Sequence, residues 1–348
     1  NKNLFYFSNV VTDSRNVVEN SLFVPLVGEF QNGHIYVDQA IEKGATVIFI
    51  DSKEYESNSN KYKELTEECK NLSVIVVENT LYALQAIAET YVEQFPELIK
   101  VAITGSSGKT TTKELVVSVL KQKYNVVYTQ GNFNSETGLP LSVFKIRKEH
   151  EVGVFEMGMN RQDEIGEISK VLKPEYAIIT NIGSAHVGML GSRDNIAIEK
   201  KKAFTYVSKT GAVFIPAEDE YCNFLQKDVL GKVVLFGENV PSDVNHIEYL
   251  KDCGLDGSVF FFVVIQINLK IPGIYNYRNA LASIALAKEL DLTAEEIKAG
   301  IENLSRLNSR MESSELNLKG NIKVNLIRDC YNANFESMSS VINFCDSL

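Results

Sequence analysis

The sequence predicts an α/β protein with three parts: a small N-terminal α/β domain over 1–98, a central domain around a largely parallel sheet over 99–311, and the beginning of a C-terminal domain over 312–348. Three observations carry this. From Ile99 onward, short β-branched runs alternate with amphipathic stretches. A Gly-rich turn lies between the first of those strands and its helix. The 348 residues exceed the roughly 250 to 300 at which one hydrophobic core stops growing.

Taken in order, SLFVPLVG (21–28) and ATVIFID (45–51) read as strands of the first domain, and DSKEYESNSNKYKELTEE is an acidic stretch with few core residues. IKVAIT (99–104), TTTKELVVSVLKQKY and NVVYT (125–129) then read as strand, helix, strand. VGVFEMG (152–158), YAIITNIG (176–183), GAVFIPA (211–217) and KVVLFG (232–237) continue the sheet, with helical periodicity between them as in EIGEISKVLK. Right-handed crossovers place a ligand site at the carboxyl ends of such strands. After Pro272, YRNALASIALAKEL (277–290) is a small-residue helix able to pack closely. TAEEIKAGIENL (293–304) starts with a capping box, Thr293 and Glu296. IKVNLIRD (322–329) is one more strand.

Composition removes several classes of function. At 45% hydrophobic and 23% charged, the chain has ordinary globular usage. Its net charge of −10 repels a phosphate backbone, so no nucleic-acid partner is expected and any phosphate ligand needs a local positive site. Five scattered cysteines without a C-x-x-C pair read as reduced thiols of a cytoplasmic protein. The longest apolar run, Val259 to Ile265, is far short of the roughly 20 residues of a membrane span.

The sharpest motif is Gly105-Ser106-Ser107-Gly108-Lys109-Thr110. Its backbone N–H groups and the helix N-terminus behind them cradle phosphates, the lysine reaches the outer oxygens, and the hydroxyl after it serves magnesium. Ile103 stands where the common version of the loop has Gly or Ala. Glu156, near the end of one strand, and His186, after another, face the same crevice and suit a metal or phosphate role, although a lone loop histidine also reads as a hydrogen-bonded one. Lys200, Lys201 and Lys202 read as a solvated helix face. Asn132 and Asn134 read as turn residues. Asn276 and Asn279, three apart, share a helix face that either starts the helix or reads the edge of a base.

The segments ITGSSGKTTTKE (103–114), GNFNSETGLPL (131–141), FEMGMNRQDEIGEI (155–168), ITNIGSAHVGMLGS (179–192) and PGIYNYRNALAS (272–283), within a span from TDSR (12–15) to DCYNAN (329–334), together resemble the Mur ligases. The resemblance implies a central P-loop ATPase domain and a truncated, Rossmann-like C-terminal domain whose full length runs on for about a hundred residues, a typical domain size. It implies an ATP- and Mg2+-dependent amide ligase of peptidoglycan precursor synthesis in the bacterial cytoplasm, acting as a monomer. The substrates implied are UDP-N-acetylmuramoyl-tripeptide and D-alanyl-D-alanine, joined through an acyl phosphate. The alternatives are a ligase adding the third amino acid, or a nucleotide-binding module without ligation because the last domain is short.

By the same resemblance, Gly105 to Thr111 (with Ser106, Ser107, Gly108, Lys109 and Thr110) hold ATP, and Thr110, Glu156, His186 and Lys200 serve the metal sites, Lys200 as a carbamate. Asn276 and Asn279 contact adenine, Arg310 lies beside the nucleotide, and Asp329 holds the ribose. Ser14, Arg15, Asn32 and His34 form a uridine-nucleotide pocket, and Asn132 and Asn134 belong to the muramoyl-peptide side. The chain departs from the family pattern at Asp163, Tyr275, Ser309, Arg328 and Phe335.

Overall fold

The computed structural model describes residues 6–238, 240, 247–304, 307, 309–318 and 322–348. The chain divides into two compact units, Asn1–Pro96 with Glu136–Ile146, and Glu97–Ser135 with Arg147–Leu348. This division differs in detail from the tripartite reading: 136–146 joins the first unit, and 312–348 groups with the second.

The first unit is built on a parallel sheet of β1 (Asn9–Val11), β2 (Ser21–Phe23), β3 (Ala45–Asp51) and β4 (Ser73–Val77), in that spatial order. Strand alternation divides β3 between two cores: Ile48 and Ile50 face one, and Val47 and Phe49 face the other. Helices α1 (Val37–Glu42), α2 (Ser52–Ser57), α3 (Ser59–Glu68) and α4 (Thr80–Val92) complete the layers. The acidic stretch is thus helical, and Tyr62 supplies its anchor. Its ring is buried and stacks 6.0 Å from Tyr55, while its hydroxyl donates to Glu54 Oε1 at 3.0 Å.

The second unit holds a six-stranded, all-parallel sheet among the described residues. In chain order it runs β5 (Ile99–Thr104), α5 (Lys109–Leu120) and β6 (Val126–Tyr128). The chain next contributes α6 (Gly138–Val143) to the first unit. It then returns for β7 (Val152–Glu156), α7 (Glu164–Leu172), β8 (Tyr176–Ile179), α8 (Val187–Leu190), α9 (Arg193–Lys201), β9 (Ala212–Pro216), α10 (Cys222–Gln226) and β10 (Lys232–Phe236). The spatial order, β10-β9-β8-β5-β7-β6, turns about β5, which pairs with β7 on one side and β8 on the other. The loops after β5, β7 and β8 therefore open into one crevice.

Beyond the sheet, an antiparallel set, β11 (Ile247–Asp252), β12 (Ser258–Phe262) and β13 (Ile265–Leu269), packs Tyr249 and Phe260 against Tyr277 of α11 (Ile274–Glu289), with ring centroids 4.8 and 5.1 Å apart. The sequence there shows only an apolar run, Val259 to Ile265. Helix α12 (Ala294–Asn303) carries the expected capping box. It crosses α5 so closely that a side chain at Gly300 would lie 2.3 Å from the Val119 Cα. The strand expected at 322–329 pairs antiparallel, as β15 (Ile322–Arg328), with β14 (Glu312–Leu318), and α13 (Phe335–Asp346) follows. Among the described residues no helix is long and apolar enough to cross a membrane.

Two lysines depart from the solvated-face reading, because the end of α9 packs against neighbouring elements. Lys201 donates to the carbonyls of Phe224 and Lys227 at 3.0 and 2.6 Å. Lys202 pairs with Glu199 at 2.6 Å and also with Asp163.

In the first unit His34 is 2% exposed. Its Nε2 accepts the Asp51 N–H at 3.1 Å, and its Nδ1 lies 2.7 Å from Asn32 Oδ1, so the ring is a neutral tautomer protonated on Nδ1. Burial holds its pKa below the ordinary 6.5, although Asp51 and Glu54 act in the opposite direction. The unfolded chain takes up this proton more readily than the folded one, so the His34 contribution to stability is complete above about pH 6.5 and declines as the pH falls below it. Thermal unfolding temperatures between pH 7 and 5.5 are expected to fall less in His34→Gln than in the wild type. Parallel declines would remove His34 from this linkage.

Candidate functional site

The crevice encloses about 860 Å³ and lies within the second unit, where the β5, β7 and β8 loops converge. Its floor is the loop Gly105–Thr110. Gly108 caps α5 with φ of +78°, a conformation that favours glycine, and a side chain there would meet Asn279 Oδ1 at 2.5 Å. Thr180 and Asn181, just past β8, brace the loop from behind. Thr180 Oγ1 and Asn181 Nδ2 donate to the Ser107 carbonyl at 2.6 and 2.9 Å, and Asn181 Oδ1 accepts the Ser107 N–H at 3.1 Å.

Two lysine amino groups meet on one oxygen. Lys109 Nζ donates to the Gly105 carbonyl at 2.8 Å, and Lys200 Nζ, fully buried from α9, donates to the same carbonyl at 2.9 Å. Burial and the Lys109 charge push Lys200 well below the usual amine range, against an upward pull from Glu199. Lys109 is lowered by burial and by Arg310 while Glu156 acts the other way, and His186 is lowered by burial, Lys200 and Lys109. Burial is the main cause of all three shifts, and it disfavours the charged form of each group.

A chain of hydrogen bonds runs across the opening. Arg310 Nη2 donates to Thr110 Oγ1 at 2.9 Å, Thr110 Oγ1 donates to Glu156 Oε2 at 2.9 Å, and Asn134 Nδ2 donates to Glu156 Oε1 at 2.8 Å. Glu156 is 2% exposed. Its N–H is held by Thr129 Oγ1 at 3.1 Å, and the Thr129 carbonyl accepts from the buried ammonium of Lys113 at 2.8 Å. Asn134 is thus a direct partner of Glu156, beyond the turn role the sequence gave it, while Asn132 lines the crevice beside it.

Asn276 Nδ2 donates to Pro272 O at 2.7 Å, and Asn279 Nδ2 to Asn276 Oδ1 at 3.2 Å, so this amide pair joins the start of α11 to the loop side of α5. Thr112 Oγ1 completes the link to Asn279 Oδ1 at 3.3 Å, and Thr111 is buried beside it. Asp329 accepts the Met311 N–H at 3.2 Å, and burial raises its pKa. Its neighbour Arg328 turns to Glu312 at 2.7 Å. Arg310 lies 4.3 Å over the ring of Tyr331. Tyr275 lines the crevice with its hydroxyl buried and, among the described residues, without a hydrogen-bond partner. Asp163 takes the left-handed φ of +65° just before α7, a conformation that Asp tolerates better than most side chains.

The remaining site candidates lie in the first unit. Ser14 Oγ donates to Gln39 at 2.6 Å, and exposed Arg15 forks onto Asp13 at 2.7 Å. Asn32 caps the turn that carries His34. The His34 ring and the Asn32 side-chain oxygen are thus engaged with one another.

Local sequence signals assign no role to Thr180, Asn181, Lys113 or Ser184. Their roles depend on contacts with residues far away in the chain, which periodicity and local motifs do not report. Among the described residues no set of three His, Cys, Asp or Glu side chains is gathered to hold a metal by protein ligands alone.

Two family profiles match this chain: "Mur ligase middle domain" over residues 103–287 and "Mur ligase family, catalytic domain" over residues 6–92. The chain is 41% identical over 344 residues to the UDP-N-acetylmuramoyl-tripeptide--D-alanyl-D-alanine ligase of Treponema pallidum (strain Nichols), covering 97% of this chain and 71% of that protein. Its structure is similar to a crystal structure of MurF from Acinetobacter baumannii, with a TM-score of 0.83 and 29% identity over 98% of this chain and 71% of that one. It is also similar to the MurF ligase of Thermotoga maritima in complex with ADP, with a TM-score of 0.77 and 26% identity over 97% of this chain and 74% of that one.

The loop geometry yields a direct test. A Cβ at Gly105 would lie 1.8 Å from Thr180 Oγ1, so Gly105→Ala must displace either the brace or the loop. ADP affinity by calorimetry is expected to fall at least about tenfold, or about 1.4 kcal/mol. Unchanged affinity would mean that the loop is not where phosphates bind.

Proposed function

The chain belongs to the Mur ligase family, and on that footing we propose that it is the ATP-dependent ligase that joins D-alanyl-D-alanine to UDP-N-acetylmuramoyl-tripeptide in peptidoglycan precursor synthesis. The observation that carries this reading is the meeting of a phosphate loop, a buried carboxylate and two lysines at the switch point of a parallel sheet. A terminal carboxylate oxygen of the tripeptide attacks the γ-phosphorus of ATP, and ADP leaves. The dipeptide amine then attacks the acyl carbon, and phosphate departs with the former carboxylate oxygen as the amide forms.

Both steps move negative charge between anions, so a catalyst here works chiefly by positioning and charge neutralisation. Lys109 neutralises the phosphates lying on the backbone N–H groups of 105–111. Thr110 and Glu156 offer hard oxygen donors, already 2.9 Å apart, and such donors fit magnesium, which takes few protein carboxylates and keeps phosphate and water ligands. Bound there, magnesium supplies Lewis-acid neutralisation of the phosphate oxygens. His186, neutral and lowered in pKa, faces the same side.

Lys200 as a free amine is a poor metal ligand. Burial favours its uncharged form, which is the form that adds CO2: an N–C bond forms, a proton leaves, and the carbamate presents anionic oxygen. Asn276 and Asn279 face adenine, Arg310 lies beside the phosphates, and Asp329 accepts from the ribose. Asn132 and Asn134 meet the muramoyl peptide, and Ser14, Arg15, Asn32 and His34 shape the uridine end. In this reading 1–98 binds the UDP substrate, 99–311 binds ATP, and 312–348 begins the ligase domain. The protein acts as a monomer in the bacterial cytoplasm, and its charge of −10 disfavours nucleic acid.

Phosphate release from ATP with magnesium and UDP-N-acetylmuramoyl-tripeptide is expected to require D-alanyl-D-alanine. Release indifferent to the dipeptide would support a nucleotide-binding module, and a requirement for a single amino acid and a shorter precursor would support the neighbouring ligase. Lys109→Ala is expected to reduce turnover by about a thousandfold or more while the chain stays folded. Lys200→Ala is expected to lose most activity and to regain part of it with acetate or formate. Failure of rescue at every concentration would count against the carbamate.

A further inference from the structure

The loop between β8 and α8 carries His186, and it is gripped from two sides. On one side Ser106 Oγ accepts the Gly183 N–H at 2.9 Å, which ties this loop to the phosphate loop. On the other side Glu336, in the first turn of α13, takes both donors of Ser184: its Oε1 accepts the N–H at 2.7 Å and its Oε2 accepts the hydroxyl at 2.9 Å. Gly183 is clamped between these partners. A Cβ there would lie 3.1 Å from the Glu336 carboxyl carbon and 3.3 Å from the Ser106 Cβ.

We propose that Glu336 is a positioning residue that fixes the Gly183–His186 loop against the phosphate loop, so that the placement of α13 governs how tightly the crevice holds a magnesium nucleotide. The proposal rests on the reading of His186 as a metal-side residue. The grip is a two-point, charge-assisted contact joining residues 152 positions apart, and such bonds are stronger than neutral ones. It is set on a well-formed helix: Asn334 and Ser337 form a capping box at the start of α13, and Phe344 buries its far end. Burial alone would raise the Glu336 pKa, but hydrogen bonds from its own N–H and from Ser184 hold it lower, which keeps the carboxylate ionised and accepting.

The test is a double-mutant cycle of Glu336→Ala and Ser184→Ala, with MgADP and metal-free ADP affinities measured by calorimetry and folding checked by circular dichroism. Each single change is expected to weaken MgADP about tenfold, and metal-free ADP much less, with the double variant no weaker than either single. Glu336→Gln, which keeps the shape of the side chain, is expected to fall between wild type and Glu336→Ala. Additive losses, no loss, or equal losses with and without magnesium would each overturn the proposal. Ligation is not part of this readout, so failure of the proposed reaction and failure of the Glu336 role are read in separate experiments.

Discussion

Two lysine amino groups share the carbonyl oxygen of Gly105, and the rest of the crevice is arranged around that crowding. A buried lysine with a like charge beside it is destabilising unless an anion arrives or the amine gives up its proton. The fold forces the arrangement nonetheless. Lys109 is fixed by the strand-to-helix turn after β5, while Lys200 is delivered by α9. Glu199, the residue before Lys200, locks α9 in place by accepting the Asp163 and Ile165 N–H groups, each at 2.9 Å, at the start of α7. Lys202 closes the same corner on Glu199. In the proposed reaction an entering phosphate supplies the counter-charge that burial makes these lysines need.

The sheet order converts this local crowding into a reaction site. With β5 between β7 and β8, Ile103 is in register with both Glu156 and Ile178, so the phosphate loop, the carboxylate and the histidine loop leave adjacent strand ends. Arg310 and Asp329 come from the far end of the sequence and join through Thr110 and Met311. The adjoining residues 310 and 311 thus tie this stretch to Thr110 on one side and to Asp329 on the other.

Much of this was legible in the sequence, and the parts that were not share a cause. The strands of the parallel sheet, the phosphate loop, the helix after Pro272 and the Thr293 capping box are signalled within a dozen residues, by period or by motif. The antiparallel set at 247–269 was missed because its partners are recognised by pairing and its aromatic contacts lie on α11. The helices at 52–68 were obscured by charge, since a single buried residue, Tyr62, anchors them. In the site, Lys109, Glu156 and His186 followed from strand ends, whereas Asn134 on Glu156, Lys113 behind Thr129 and Glu336 on Ser184 are long-range contacts invisible to local spacing. Lys201 and Lys202 looked like solvent-facing charges because a run of lysines carries no sign of the carbonyls and carboxylates that it meets.

The proposed reaction requires the crevice to deliver the γ-phosphoryl group to a carboxylate rather than to water. The most direct measurement is oxygen tracing, with the terminal carboxylate of UDP-N-acetylmuramoyl-tripeptide labelled with oxygen-18 and the released phosphate examined by mass spectrometry after turnover with ATP and D-alanyl-D-alanine. One labelled oxygen is expected in each phosphate, because the carboxylate oxygen that attacks phosphorus leaves with it. Phosphate without label, its new oxygen drawn from solvent, would mean that water and not the carboxylate takes the γ-phosphoryl group.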